Sequence, residues 1–416
     1  AALASLPSAG WGRQVWTANP FSLGIASGSP TSNSIVLWTR LGLDQVDAAG
    51  LSQRPVNVTW QIAHDQAFRH IVQQGDLVAS PALAHSIHAE VSGLDADNVT
   101  FHPMLIGGSF GRRLPMYMEI VEQVTQLAMQ LPYPVKLIWS REEEVQQGAY
   151  RPQSAAILKG AIGKDGKIAA YLNDYAQTES AESETTFIYD LPVVARRHYE
   201  YASNQQSGAW RSVNSTQQGF YNESFMDELA HAAKADPVEF RRRHLKPGSR
   251  HLNVLDEVAK RSGWGTPTPE GVARGVAIVE SFKTIVAHVI EASIKEDGSP
   301  KVLKVTTVVD AGSIVNPDGA AAQIEGGTIM GLSSAIGEAI TLDKGAVQQS
   351  NLTDYPILKL ADAPPVHDIH FIESGAPMGG IGEPGVPPAA PALANALFAL
   401  TGKRIRSLPL LTQAKV

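Results

Sequence analysis

The hydrophobic pattern of this 416-residue chain changes period once, near residues 95–98, and that change constrains its folding more than any other feature. Before it, Val56, Val58, Trp60 and Ile62 alternate with polar neighbours, and Ile87, Ala89 and Val91 repeat the alternation. Successive side chains on a strand face opposite sides, so a period of two marks a half-buried strand. Two short apolar runs around a Gly/Ser/Pro/Asn cluster lie within 21–40. Residues 1–19 read as an irregular lead-in, and 20–97 as a small N-terminal antiparallel β-sandwich.

After the change, strand-like runs alternate with amphipathic helices. Residues 115–131 carry Ile120, Val121, Val124, Leu127, Ala128 and Leu131 at helical spacing, and 134–139 reads as a buried strand. Phe225, Leu229 and Ala232 make the apolar stripe of a second helix. Asp236-Pro237 supplies the cap and first residue of a third. Residues 302–309 are β-rich, 331–340 are apolar with small residues, and 391–400 form an Ala/Leu helix after a Pro-rich turn. The expected class is α+β, with 262–269 as a seam between lobes at 98–265 and 266–416. The length itself exceeds what one hydrophobic core serves.

Composition narrows the chemistry. The chain has no cysteine, which excludes thiolate-ligated iron–sulfur clusters, disulfides and thiol catalysis within it. A net charge of -7 gives no basic footprint for nucleic acid. No run approaches 18 apolar residues, so no membrane span is expected, and the first residues show no charged-then-apolar leader. His85 and His88 invite a metal reading, but on a strand they would point to opposite faces.

Four segments carry candidate chemistry. Ile106-Gly-Gly-Ser-Phe-Gly-Arg-Arg113 joins a strand-like run to a helix. Its glycines allow close backbone approach, and helix-start amides with two arginines suit an anion. Gly379-Gly-Ile-Gly-Glu-Pro-Gly385 sets one carboxylate, Glu383, among glycines and prolines before an apolar helix. In a dry setting such a carboxylate has a raised pKa and works as a general base. Gly208-Ala-Trp-Arg-Ser-Val-Asn214 places Arg211 beside Trp210, and Ala322-Gln-Ile-Glu-Gly-Gly327 turns the amide of Gln323 towards a glycine-rich neighbourhood. Taken singly, each has a plainer reading: a structural turn, a capping glutamate, a surface ion pair, a helix-packing glycine pair. Their order is what discriminates.

In that order, with connecting text such as Trp139-Ser-Arg-Glu-Glu143, Tyr150-Arg-Pro152 and Asp227-Glu-Leu-Ala-His231, residues 99–416 resemble the large subunit of the xanthine dehydrogenase superfamily, in the branch of isoquinoline oxidoreductases and related aldehyde dehydrogenases. The resemblance implies a two-lobed α+β domain binding molybdopterin with molybdenum, expected as the cytosine dinucleotide. It also implies oxidation of an aldehyde or aromatic N-heterocycle with water as oxygen source. The turn of Gly107, Gly108, Ser109, Phe110 and Gly111 would bring the Phe110 and Gly111 amides to the metal's oxo ligand, with Arg112 near the pyrophosphate. Arg211, Gln323 and Gly382 would join the cofactor site, with Gln323 against the pterin, and Glu383 would be the catalytic base. A separate small subunit would carry 2Fe-2S clusters, no metal would be ligated by this chain's own side chains, and the location would be periplasmic, otherwise cytoplasmic.

Residues 20–97, through 21–40, Trp60-Gln-Ile-Ala-His64 and Leu83-Ala-His-Ser-Ile-His88, resemble the N-terminal domain of PhoD-type alkaline phosphatases. No Asp/His/Asn ligand series follows Gly93, so phosphatase or phosphodiesterase activity is the alternative rather than the leading reading. A non-catalytic module is a third. The loop departs from the family's Gly-Gly-Gly-Phe-Gly at Ser109, and the Gly-Gln-Gly of the family's other half is absent from the sequence.

Overall fold

The computed structural model describes residues 2–5, 21, 25–28, 34–63, 69–81, 86–92, 119–178, 185–201 and 205–412. The chain forms two compact units, 1–138 and 139–416. In the first, strands β1 (Ala2–Ser5), β2 (Ile25–Gly28) and β3 (Ser34–Arg40) precede helix α1 (Leu43–Ala48), followed by β4 (Val56–Ala63), β5 (Ile71–Ala79) and β6 (Ser86–Ser92), then helix α2 (Glu119–Gln130). They make two antiparallel three-stranded sheets, β1-β4-β5 and β2-β3-β6. The alternation expected of β4 is present: Val56, Val58 and Trp60 are buried between exposed or half-buried neighbours. Val56 and Val58 build one small core with Ala79 of β5, Ile87 of β6 and Leu41, Val46 and Leu51 in and around α1.

Residues 134–139 differ from expectation. They are irregular and largely exposed, with Ile138 73% accessible, and not a buried strand. Pro134 removes one amide donor at the start of the run, which disfavours pairing there.

The second unit opens with α3 (Arg141–Gln147), whose Ser140 and Glu143 form a reciprocal capping box. Strands β7 (Ser154–Ile162), β8 (Ile168–Gln177), β9 (Thr185–Thr186) and β10 (Val194–Glu200) follow, then α4 (Val213–Ala232), α5 (Pro237–His244) and α6 (Arg250–Ser262). Next come β11 (Ala273–Ser281), β12 (Thr284–Ile294), β13 (Pro300–Asp310), α7 (Pro317–Ile336), the short pair β14 (Leu342–Asp343) and β15 (Ala346–Val347), β16 (His367–Phe371) and α8 (Ala389–Thr401). The main sheet runs β16-β13-β12-β11-β9, and a smaller one runs β10-β8-β7. Both faces of β12 are covered. Ile285, Ala287 and Val289 join the core that includes Val254, Leu255 and Val258 of α6, whereas Ile290 joins α8, through Ala392, Leu393 and Ala396. A strand buried on both sides needs no polar alternation. Residues 262–269 form the turn from α6 into β11, and apolar side chains from both elements share a core.

Helix α4 packs Met226, Leu229 and Ala230 into the core, and a row of amides holds another of its faces. Asn214, Gln218 and Asn222, four residues apart, line one face. Gln177 donates to Asn214 Oδ1 (2.8 Å), Asn173 donates to Gln218 Oε1 (2.8 Å) and to Asn222 Oδ1 (3.1 Å), and Tyr171 donates to Asn222 Oδ1 (2.7 Å). The next residue, Glu223, accepts from Tyr189 and from the fully buried Arg241 (2.8 Å), and a turn further on Asp227 accepts from Arg404 (2.6 Å). Leaving a buried polar group unpaired is costly, so these bonds favour one arrangement. This ladder therefore fixes the register of α4 on β8, and with it the position of the helix's first residues.

Candidate active site

The turn into α4 is conformationally costly. Ser212 has φ 72 and Val213 has φ 44, in the left-handed region that a β-branched residue rarely enters. Such backbone costs of order 1–3 kcal/mol persist where surrounding contacts over-determine them, and here the long-range hydrogen bonds of Arg211 and Ser212 go to the Gly379–Gly385 loop and α7. Arg211 Nε and Nη2 donate to Gly382 O (2.8 and 2.5 Å), and Nη2 also donates to Gln323 O (3.2 Å) and Oε1 (2.8 Å). The next residue completes the grip: Ser212 N–H donates to Glu383 Oε1 (2.9 Å), and Ser212 Oγ donates to Glu383 O (2.7 Å). Burial pulls the Arg211 guanidinium below its ordinary pKa, and the nearby Glu383 charge opposes that shift, so the cation persists. The Glu383 carboxylate is half-buried and lies at the start of α4, where free amides and the helix dipole favour an anion.

The loop is braced from three further sides. Gly379 N–H donates to Ala311 O (2.9 Å) and Gly380 N–H to Phe282 O (2.9 Å), while Thr284 Oγ1 donates to Gly380 O (2.6 Å). Phe282 and Lys283 form a two-residue hairpin between β11 and β12, both at positive φ. A Cβ at position 379 would sit 2.4 Å from Thr284 Oγ1 and 2.8 Å from Lys283 backbone, and one at 385 would sit 2.7 Å from Ile324 O. Only glycine fits either place. Val386 N–H closes the turn on Glu383 O (3.0 Å).

Four residues expected at a site thus lie together: Arg211, Gln323, Gly382 and Glu383. The expected fully dry surround of Glu383 is not what the structure has; one carboxylate oxygen takes the Ser212 amide, and Oε2 has no hydrogen bond among the described residues. The remaining expected residues, Gly107, Gly108, Ser109, Phe110, Gly111 and Arg112, lie outside the described residues, as does His85. Ser212 was missed by sequence reasoning, since nothing in Gly208–Asn214 marks which residue would turn left-handed. His288 was missed as well. It donates from Nε2 to Gly385 O (3.0 Å) at the centre of β12, and a single histidine in an apolar strand carries no sequence signal of such a contact. Arg151 stacks over the Trp210 ring at 4.4 Å, and the two line a shallow depression with Asn214 and Gln217.

The donor set suits a pterin. Gln323 spends Oε1 on Arg211, which leaves its Nε2 hydrogens without a partner among the described residues, and the nearest atom to a Cβ at Gly382 is that Oε1, at 3.9 Å, so the space beside the loop is open. A flat, hydrogen-bonding heterocycle needs these features: amide donors, an approachable backbone and room.

Residues 78–245 and 194–364 each match the molybdopterin cofactor-binding domain. Together these matches make residues 78–364 similar to the molybdopterin-binding subunits of the xanthine dehydrogenase family. Residues 6–112 match the PhoD-like phosphatase, N-terminal domain. Among curated relatives, the isoquinoline 1-oxidoreductase subunit beta of Brevundimonas diminuta is 31% identical over 353 residues, covering 79% of this chain and 45% of its own length. Alkaline phosphatase D of Bacillus subtilis is 46% identical over 88 residues, 21% of this chain and 15% of that protein. The crystal structure of quinoline 2-oxidoreductase from Pseudomonas putida 86 has the same fold, with a TM-score of 0.64 at 14% identity over 73% of this chain and 66% of that one. The molybdopterin-binding domains make the family part an α+β fold that binds molybdopterin with molybdenum. The chain spans about half the length of the first two curated relatives it matches, 45% and 49%. No helix among the described residues is long and apolar enough to cross a membrane, and no group of three or more His, Asp or Glu there is placed to hold a metal ion.

Proposed function

We propose that this chain is the molybdopterin-binding part of a molybdenum hydroxylase that oxidises an aldehyde or an aromatic N-heterocycle, with water as the source of oxygen. The observation that carries the reading is the convergence of Arg211, Gln323, Gly382 and Glu383 from three distant segments. In the reaction, a C–H bond and a water molecule give a C–OH bond, two protons and two electrons. When bound, molybdopterin supplies the two-electron redox centre. Gln323 Nε2 would donate to the pterin, and the glycine loop would let the ring approach the backbone; the cytosine dinucleotide form belongs to the same proposal. Ser212 pins Glu383 Oε1, which orients Oε2 to take the proton from the water-derived nucleophile. Arg211 holds the loop carbonyl and so keeps that oxygen in place.

With no cysteine in its 416 residues, the chain cannot hold a thiolate-ligated cluster, so the electrons pass in this proposal to a separate 2Fe-2S subunit. A periplasmic location, a domain division near residues 97 and 265, and the packing of the two small N-terminal sheets as a β-sandwich belong to the same proposal. The test is metal and pterin analysis of the protein from a molybdenum-replete host, together with Glu383→Gln. The expected result is molybdenum near one per chain and a loss of turnover of at least about 100-fold in the variant. Protein without molybdenum, or a variant with unchanged turnover, defeats the reading and leaves a non-catalytic module.

A further inference from the structure

We propose that His288 is a positioning residue for Glu383, and that Thr307 and His367 fix it in the tautomer this requires. The inference rests on the reading of Glu383 as the base, but its geometry stands apart from that role. His288 lies opposite Thr307 in the β12–β13 ladder, with no accessible surface. Its Nε2 faces Gly385 O at 3.0 Å, a carbonyl that can only accept, so Nε2 carries the hydrogen. Thr328 Oγ1 lies 3.2 Å from the same nitrogen and is itself committed as donor to Ile324 O (2.8 Å), so it too accepts there. Nδ1 is then bare and accepts from Thr307 Oγ1 (2.9 Å). Thr307, having given its hydrogen, accepts from His367 Nε2 (2.9 Å).

Every hydrogen in the chain His367, Thr307, His288, Gly385 thus points one way, towards the loop. Burial holds both histidines far below their ordinary pKa, His288 at about 3 and His367 at about 4, which keeps both rings neutral and this order intact at neutral pH. Gly385 is two residues from Glu383, inside the turn closed by Val386 N–H on Glu383 O. The glycines that let the loop approach the sheet also give its backbone more conformational freedom to lose. The His288 bond adds a fixed point at the Gly385 end, beyond the contacts that brace Gly379, Gly380 and Gly382.

The test is hydrogen–deuterium exchange read by mass spectrometry on the full chain. In His288→Leu, amides at 379–386 and at Ser212 are expected to exchange about tenfold faster, with those of β11 and α6 unchanged, and His288→Gln, which keeps a donor near the Nε2 position, is expected to restore most of the protection. Thr307→Val keeps shape and removes the hydroxyl; it is expected to give a smaller acceleration at the same amides, and it decides the matter if His288→Leu does not fold. In the assembled enzyme the same variants lower kcat while KM holds. Unchanged exchange at both segments in a folded variant, or uniform acceleration through the whole chain, overturns the proposal. A Glu383→Gln variant with full turnover would sink the base reading and leave the exchange result to decide the positioning claim alone.

Discussion

Arg211 donates to two carbonyls and a side-chain amide from one side of its guanidinium, and that planar fork is what lysine lacks. A lysine ammonium at this place reaches one acceptor and leaves the other groups unpaired. Arg211→Lys should therefore destabilise the chain by about 1–3 kcal/mol, measured by denaturant unfolding, and lower the molybdenum retained on purification. Glu383→Gln separates the two duties of its side chain. The amide oxygen still accepts from Ser212 N–H, so the stability change should stay within about 1 kcal/mol, the value of a charge at a helix N-terminus. The same denaturation experiment checks it, and a large loss would mean that the charge serves the fold instead of the chemistry.

At the scale of elements, the Phe282–Lys283 hairpin shows the sequence working against local preference. Two-residue turns with positive φ at both positions favour Asn-Gly, and Lys283 is an exposed side chain at φ 65. Lys283→Gly should stabilise by about 0.5–1 kcal/mol, the relief of left-handed strain less the entropy of glycine, seen as a higher unfolding midpoint. Elements with strong local signals were legible: β4 by its alternation, α5 by Asp236, which accepts from Val238 and Glu239 N–H ahead of Pro237, and α8 by its Ala/Leu run after prolines. The run at 134–139 misled because apolar content says nothing about whether amides can pair. Helix α4 was found by its apolar stripe of Phe225 and Leu229, yet its buried face towards β8 is Asn214, Gln218 and Asn222. Hydrophobic periodicity cannot see a face made of amides. The three segments that meet at the site were all visible, as a glycine loop, an arginine beside a tryptophan and a glutamine before paired glycines. The histidine–threonine chain beneath them was not, because cross-strand partners depend on sheet order, which strands β12, β13 and β16 acquire only on folding.

For the whole molecule, the buried histidines set a pH response. Both have folded pKa values depressed below the ordinary 6.5, to about 3 and about 4. The unfolded chain therefore takes up protons first as pH falls, and stability rises with pH in that window. It should be full above about 6.5 and decline below it, by up to about 1.4 kcal/mol per pH unit for each histidine. His288→Leu should flatten part of that slope in urea titrations between pH 6.5 and 4.5, whatever it does to absolute stability. Asp310, held below its usual pKa chiefly by the hydrogen bonds of Arg250, Gly312 and Ser374 against the cost of burial, acts in the same direction at lower pH.

The separation of the site residues along the chain has a consequence for biosynthesis. Arg211 and its carbonyl partner at Gly382 are 171 positions apart. A nascent polypeptide still tethered before that second loop leaves the ribosome has the first half of the grip and nothing to close it on. Under the proposed function, the site therefore closes only after the second loop has been made, and a chain cut before residue 382 should retain no molybdenum.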